Sequence, residues 1–203
     1  MTNQGVGGDG GKRYRTIVAD PPWPFKWDGR AGGRRRRDTV LGYETMSVPD
    51  IAALFDASQW ASDATLLLWV TRDALHSGGA REVALAWGFT QPVGEFIWAK
   101  PNFGTGAFPR SGHETCVIYR RGKGSLRPDA PRNIHSVQPW TQPYSAEAGK
   151  THSAKPDAFL DLVEIGFEPP YLELFARRAR FGWDYWGDES LGTAQMPAEA
   201  LQG

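Results

Sequence analysis

Apolar and polar positions change period several times along the chain, and each change marks an element. Tyr14 to Asp20 (YRTIVAD) is a short β-branched run that stops at two prolines, the pattern of a buried strand whose carboxyl end opens into a loop. From Ser47 the spacing becomes helical: the serine is placed to cap, Pro49 follows two residues on, and Ile51, Leu54 and Phe55 share a face. Ala64 to Val70 (ATLLLWV) is a continuous apolar run of strand length. Thr71 to Phe89 has helical spacing, broken at Gly78 and Gly79 and closed at Gly88, which predicts a helix in two pieces. Gly94 to Lys100 and Glu114 to Arg120 read as strands, Lys155 to Gly166 as a helix and Tyr171 to Arg177 (YLELFAR) as another strand. Strands alternating with helices predict an α/β fold, a mostly parallel sheet with helices on both faces. In such folds ligands sit outside the carboxyl ends of the strands.

Composition narrows this to one domain. The chain has 203 residues, 40% of them hydrophobic, and a domain over residues 13–190 is expected, with flexible tails at 1–12 and 191–203. Lys and Arg (23) balance Asp and Glu (23), which argues against coating nucleic acid through net charge but leaves local patches open. The one cysteine, Cys116, has no partner for an internal bridge and reads as core, and a reducing cytoplasm is the default compartment. His76, His113, His135 and His152 lack ligand spacing, so no metal is expected. The run at 64–70 is far short of a bilayer span, and MTNQGVGGDGG has no secretion-signal pattern. Its GxGxxG spelling precedes the first strand instead of joining strand to helix, so it is no nucleotide fingerprint. Nine Trp, ten Phe and six Tyr are mostly accounted for by packing.

The most unusual strand exit is Asp20-Pro21-Pro22-Trp23. Two prolines fix φ near −65° twice and remove two N–H donors, leaving carbonyls that only accept. An exocyclic amino group offers two N–H donors, which a carboxylate and a proline carbonyl can take while an indole stacks on the base. The turn therefore fits an aminopurine or aminopyrimidine. A proline-rich strand exit whose Asp caps a helix is the plainer alternative.

Taken with the rest of the chain, DPPW is one of seven pieces in order: GYETMS (42–47), LLLWVT (66–71), WGF (87–89), WAKPNFGTGAFPRSGHE (98–114), HSAKPD (152–157) and LELFARRARFGWDYWGDE (172–189) follow it. In these pieces the sequence resembles the MT-A70 family of adenine-N6 methyltransferases, from Tyr14 to about Glu189. The resemblance implies a permuted, Rossmann-like class I methyltransferase fold with S-adenosyl-L-methionine as methyl donor. It also implies roles. Asp20, Pro21, Pro22 and Trp23 form the catalytic turn, with Asp20 and Pro21 on the target amino group and Trp23 and Tyr43 bordering the adenine. Lys155 lies near the donor's methionine carboxylate, and Glu173 holds its ribose hydroxyls, an assignment that also suits a carboxylate at a strand end. Asp20, Phe175, Arg177, Gly187, Asp188 and Glu189 complete the donor pocket. Two departures stand out. Gly187-Asp188-Glu189 replaces the Gly-Asn-Gln of the messenger-RNA enzyme, and only about 13 residues precede the first strand, so an upstream acidic segment that helps hold the donor there has no counterpart.

Basic residues suggest where a polymer would run. Lys26 to Asp38 (KWDGRAGGRRRRD) follows the catalytic turn with six basic and two acidic residues, and Lys26, Arg34, Arg35 and Arg36 are read, with Arg110, as substrate contacts. Arg120, Arg121, Lys123, Arg127 and Arg132 are read as a continuation of that track. His113 and Glu114 are read as fixing loop structure, not as acid and base. The expected activity is N6-adenine methylation of nucleic acid, with DNA favoured and RNA the alternative. From another class comes a non-catalytic nucleic-acid-binding subunit of a heterodimer. A homodimer or heterodimer is left open.

Overall fold

The computed structural model describes residues 12–24, 44–101, 109–141 and 154–187. Its centre is a seven-stranded sheet made of β1 (Tyr14–Ala19), β2 (Trp60–Val70), β3 (Gln91–Ala99), β4 (His113–Arg121), β5 (Val137–Gln138), β6 (Tyr171–Ala176) and β7 (Trp183–Gly187), in the order β5-β3-β4-β2-β1-β6-β7. Pairing is parallel for β1–β2, β1–β6, β6–β7 and β3–β5, and antiparallel only where β4 meets β2 and β3. The sheet is thus mostly parallel, as expected, with β4 reversed.

Side chains alternate between two cores. Ile17, Ala19, Leu66, Leu68, Leu172 and Leu174 face one of them, and Val18, Leu67 and Trp69 face the other, the period of two that strands impose. The first face is covered by α1 (Val48–Ala52), α2 (Arg72–His76) and α3 (Gly79–Ala86), which bury Ile51, Ala74, Val83 and Ala84. The second is covered by α4 (Asp157–Gly166) through Phe159, Leu160 and Val163. Helices on both faces follow from a sheet that is apolar on both sides.

Local chemistry sets the boundaries. The Ser47 hydroxyl accepts the Asp50 amide N–H at 3.3 Å and caps α1. Gly78, at φ 86°, separates α2 from α3, so the predicted helix is indeed two pieces. Trp60 extends β2 four residues upstream of the predicted start, because its indole is fully buried and donates to the Trp87 carbonyl at 2.8 Å. Pro92 sits inside β3, where β5 pairs only with Ile97 and Trp98, so its missing N–H costs no ladder bond to β5, and a bulge between Pro92 and Gly94 relieves the pairing with β4. Cys116 and the indoles of Trp60, Trp69, Trp87 and Trp98 are all buried, which bears out their reading as core.

Candidate active site

Because β1 and β6 are adjacent and parallel, with Val18 opposite Glu173 and Ala19 opposite Leu174, the two acidic strand exits lie side by side. They open into one cleft lined by Val18, Asp20, Trp69, Lys155, Phe159, Glu173, Phe175, Arg177 and Arg178. The structure thus brings Asp20, Lys155, Glu173, Phe175 and Arg177 together around one cleft.

From Asp20 and Lys155 of the cleft a ladder of charges runs back to Glu114 and Lys100. Lys155 Nζ donates to Asp20 Oδ2 at 2.7 Å and lies 3.2 Å from Glu114 Oε2, while Glu114 also accepts from Lys100. Lys155 further sits 5.3 Å from the centre of the Trp69 ring. Burial pushes the Lys155 ammonium toward neutrality, but Asp20 and Glu114 outweigh it and hold its pKa above the usual lysine value. For Glu114 burial again opposes ionisation, and Lys155 and Lys100 together hold its carboxyl below the usual range. The His113-Glu114 pair was expected to fix structure, and Glu114 does so ionically. Glu173 shifts the other way. Burial, with the Arg178 charge opposing and the Asp20 charge adding, pushes its carboxyl up to about 7.

The DPPW turn is locked from within. The Trp23 amide donates to the Pro21 carbonyl at 2.8 Å, a three-residue turn that the fixed φ of Pro22 favours, and the Met46 amide donates to the Pro22 carbonyl at 2.8 Å. Each carbonyl keeps a second lone pair. The expected stacking face of Trp23 requires correction. Its side chain is only 5% exposed and packs into the core under α1, with its indole N–H donated to the Trp69 carbonyl at 2.8 Å. The ring anchors the turn; an indole worth more as buried surface is committed to the core.

Phe175 reaches the cleft through backbone strain. It holds φ 61°, a left-handed value rare for a large side chain, at a register shift between Leu174 and Ala176. Gly187 makes this possible: a Cβ there would fall 2.8 Å from the Phe175 carbonyl carbon and nearer still to the Ala176 backbone. Gly187 thus acts on the cleft by admitting the bulge. The Phe175 ring meets Trp186 edge-on at 5.3 Å.

The second arginine track also requires correction. Since β4 runs antiparallel to β2, Thr115 lies opposite Val70 at the carboxyl edge, whereas Arg120 and Arg121 lie opposite Thr65 and Ala64 toward the other end. Arg120 binds the Gln91 side chain, Arg121 the Ala57 carbonyl, and Arg127 pairs with Asp129. Arg110, exposed just before β4, lies at the cleft's edge of the sheet. Tyr43, Lys26, Arg34, Arg35, Arg36, Asp188 and Glu189 lie outside the described residues. Sequence reasoning missed Trp69, Lys100 and Arg178. The end of an apolar strand run signals Trp69, but nothing local signals the other two.

The chain is 28% identical over 200 residues to the type II methyltransferase M.MunI of Mycoplasma sp, covering 88% of this chain and 78% of that one. It is 32% identical over 190 residues to the N6-methyladenosine RNA methyltransferase MTA1 of Cryphonectria parasitica, covering 88% and 52%. It is 29% identical over 200 residues to the N(6)-adenine-specific methyltransferase METTL4 of Mus musculus, covering 92% and 39%. The chain thus spans most of the Mycoplasma protein and about half or less of the other two. The MT-A70 profile matches residues 14–189, so that no strand of the described sheet falls outside it, and the chain belongs to the MT-A70 family.

Proposed function

We propose that this chain transfers a methyl group from S-adenosylmethionine to the exocyclic N6 of adenine in nucleic acid, with DNA the favoured polymer. The observation that carries the reading is the shared cleft: Asp20 of the β1 exit and Glu173 of β6 line it together with Lys155. Its residues fit the donor. Lys155 matches a carboxylate, Glu173 matches a ribose diol, and Val18, Phe159 and Phe175 supply apolar wall. The buried Trp69 indole N–H has no acceptor among the described residues, which suits a ligand carrying acceptors.

When bound, S-adenosylmethionine supplies a sulfonium methyl that is already strongly electrophilic. The chain's work is to align and polarise a poor nucleophile, an aromatic amine whose lone pair is delocalised into the ring. Asp20 accepts one N6–H and the second lone pair of the Pro21 carbonyl accepts the other. Together they draw the nitrogen toward a tetrahedral shape with its lone pair directed away from them. Positioning of this kind supplies ~7 to 11 kcal/mol. The excess proton then leaves the amine through Asp20 to solvent. Lys155, which pairs with Asp20 and Glu114, would hold the donor's carboxylate, and Asp20 has a second carboxylate oxygen for the amine.

Among these three relatives, the chain spans the largest share of the type II methyltransferase, which favours DNA, while the fungal relative named for RNA keeps that polymer as the alternative. The test presents both polymers with labelled donor, followed by nuclease digestion: N6-methyladenine in DNA is expected, and label confined to RNA overturns the choice of polymer. Asp20→Ala is expected to abolish turnover while donor binding, followed by calorimetry, largely survives. Retained turnover would remove Asp20 from the mechanism, and a wild-type chain that takes up no donor would favour the non-catalytic role.

A further inference from the structure

Arg178 lies where the exit of β6 meets the segment leading into α4, and nothing in the sequence reading gave it a role. Its Nη2 donates to the Lys155 backbone carbonyl at 3.1 Å and also pairs with the Asp157 carboxylate in the first turn of α4. One guanidinium nitrogen thus joins the two chain segments that carry Lys155 and Glu173. Arg178 itself lines the cleft. The pair with Asp157 is a weak source of stability, because Asp157 is 60% exposed and exposed ion pairs are screened by water. The bond to the Lys155 carbonyl has a different consequence. The Lys155 side chain must reach Asp20 and Glu114, and its reach is set by where its own backbone is held.

We propose that Arg178 is a positioning residue of the donor site, a clasp that holds the Lys155 segment against the exit of β6 so that Lys155 and Glu173 keep a fixed spacing across the cleft. The proposal rests on the reading of that cleft as the donor site. It adds to that reading a residue that acts through two others: through the Lys155 backbone by hydrogen bonding, and through Glu173 by charge, since the guanidinium favours the ionised carboxylate. Nη2 carries two N–H bonds, one for each contact, whereas a lysine ammonium, a point charge on a flexible stem one atom shorter, supplies the charge without reaching and fixing both partners.

The test measures binding of S-adenosylhomocysteine to the full chain by calorimetry between pH 5.5 and 8.5, with steady-state kinetics alongside. Arg178→Ala is expected to weaken binding about ten-fold, to raise the donor KM by a similar factor and to leave kcat at saturating donor within about two-fold. It also moves the Glu173-dependent inflection of binding to higher pH. Arg178→Lys is expected to restore the position of that inflection but not the affinity, and it serves should the alanine variant fail to fold. A purely structural arginine would lower the melting temperature and leave both the inflection and the KM-to-kcat split unchanged; that result overturns the clasp and leaves the donor site standing. Wild-type chain that binds no S-adenosylhomocysteine overturns the donor reading, and the clasp with it.

Discussion

Replacing Glu114 by Gln tests the charge ladder at its centre. Glu114 is flanked by two lysines, Lys100 and Lys155, and its side chain is 25% exposed, as is that of Lys100 at 26%, while Lys155 is 13% exposed. Each charged hydrogen bond is worth roughly 1.5 to 3 kcal/mol, and breaking a fully buried pair costs roughly 3 to 5 kcal/mol. Partial exposure and the amide oxygen that Gln retains both reduce these figures, so the expected loss is about 2 kcal/mol at pH 7. For a chain of this size each kcal/mol moves the midpoint by roughly 2 to 4 °C, which gives a fall of about 4 to 8 °C.

The dependence on pH supplies the sharper check. The folded pKa of Glu114 lies below its unfolded value of 4.5, so its ionised form stabilises the fold fully above that value and ceases to do so as pH falls through the folded pKa. The wild type should therefore lead Glu114→Gln by its full margin at pH 7 and lose the lead as acid is added. Urea denaturation at pH 7 and pH 3.5 measures the gap, and a double-mutant cycle with Lys100→Met isolates the pair, with coupling expected near 1 kcal/mol. A gap that stays constant with pH, or a variant as stable as wild type at pH 7, would refute the ladder as an ionic scaffold.

Glu173→Gln has the opposite sign. With its folded pKa near 7, the carboxylate penalises the fold as pH rises from 4.5 to 7 and by a constant amount above, so the variant should gain on the order of 2 kcal/mol over wild type between pH 5 and pH 8 while losing donor affinity. Denaturation and calorimetry at the two pH values check both halves. Gly187→Ala places a methyl against the Phe175 and Ala176 backbone and should cost about 2 to 3 kcal/mol, read as a lowered melting temperature together with weakened donor binding. Trp23→Phe removes the donor to the Trp69 carbonyl and should cost about 1 to 3 kcal/mol; an unchanged denaturation midpoint would show that the indole bond contributes nothing.

How much of this was legible beforehand follows from which quantities are local. The positions of β1, β2, β6 and α4 are written in periodicity, and the acid that ends β1 and the acid within β6 are visible by eye, so the shared cleft was reachable from sequence. Strand direction is not local. The run at 113–121 reads equally well in either sense, and the sense decides which end meets the cleft. Taken as parallel, it sends its carboxyl-end arginines toward the substrate; antiparallel, it delivers Glu114 there, opposite Trp98 of β3, and turns Arg120 and Arg121 away. The short β5 and the terminal β7 were unread as strands for a related reason. Val137 and Gln138 carry no period, and Trp183 to Gly187 is made a strand by pairing with β6 more than by its own composition. Trp23 shows the same limit in a side chain, since an indole beside an adenine-binding turn and an indole plugging a helix-covered sheet are the same letter in the same motif. What separates them is whether a carbonyl waits at the far side of the core, and here the Trp69 carbonyl does, at the end of the neighbouring strand.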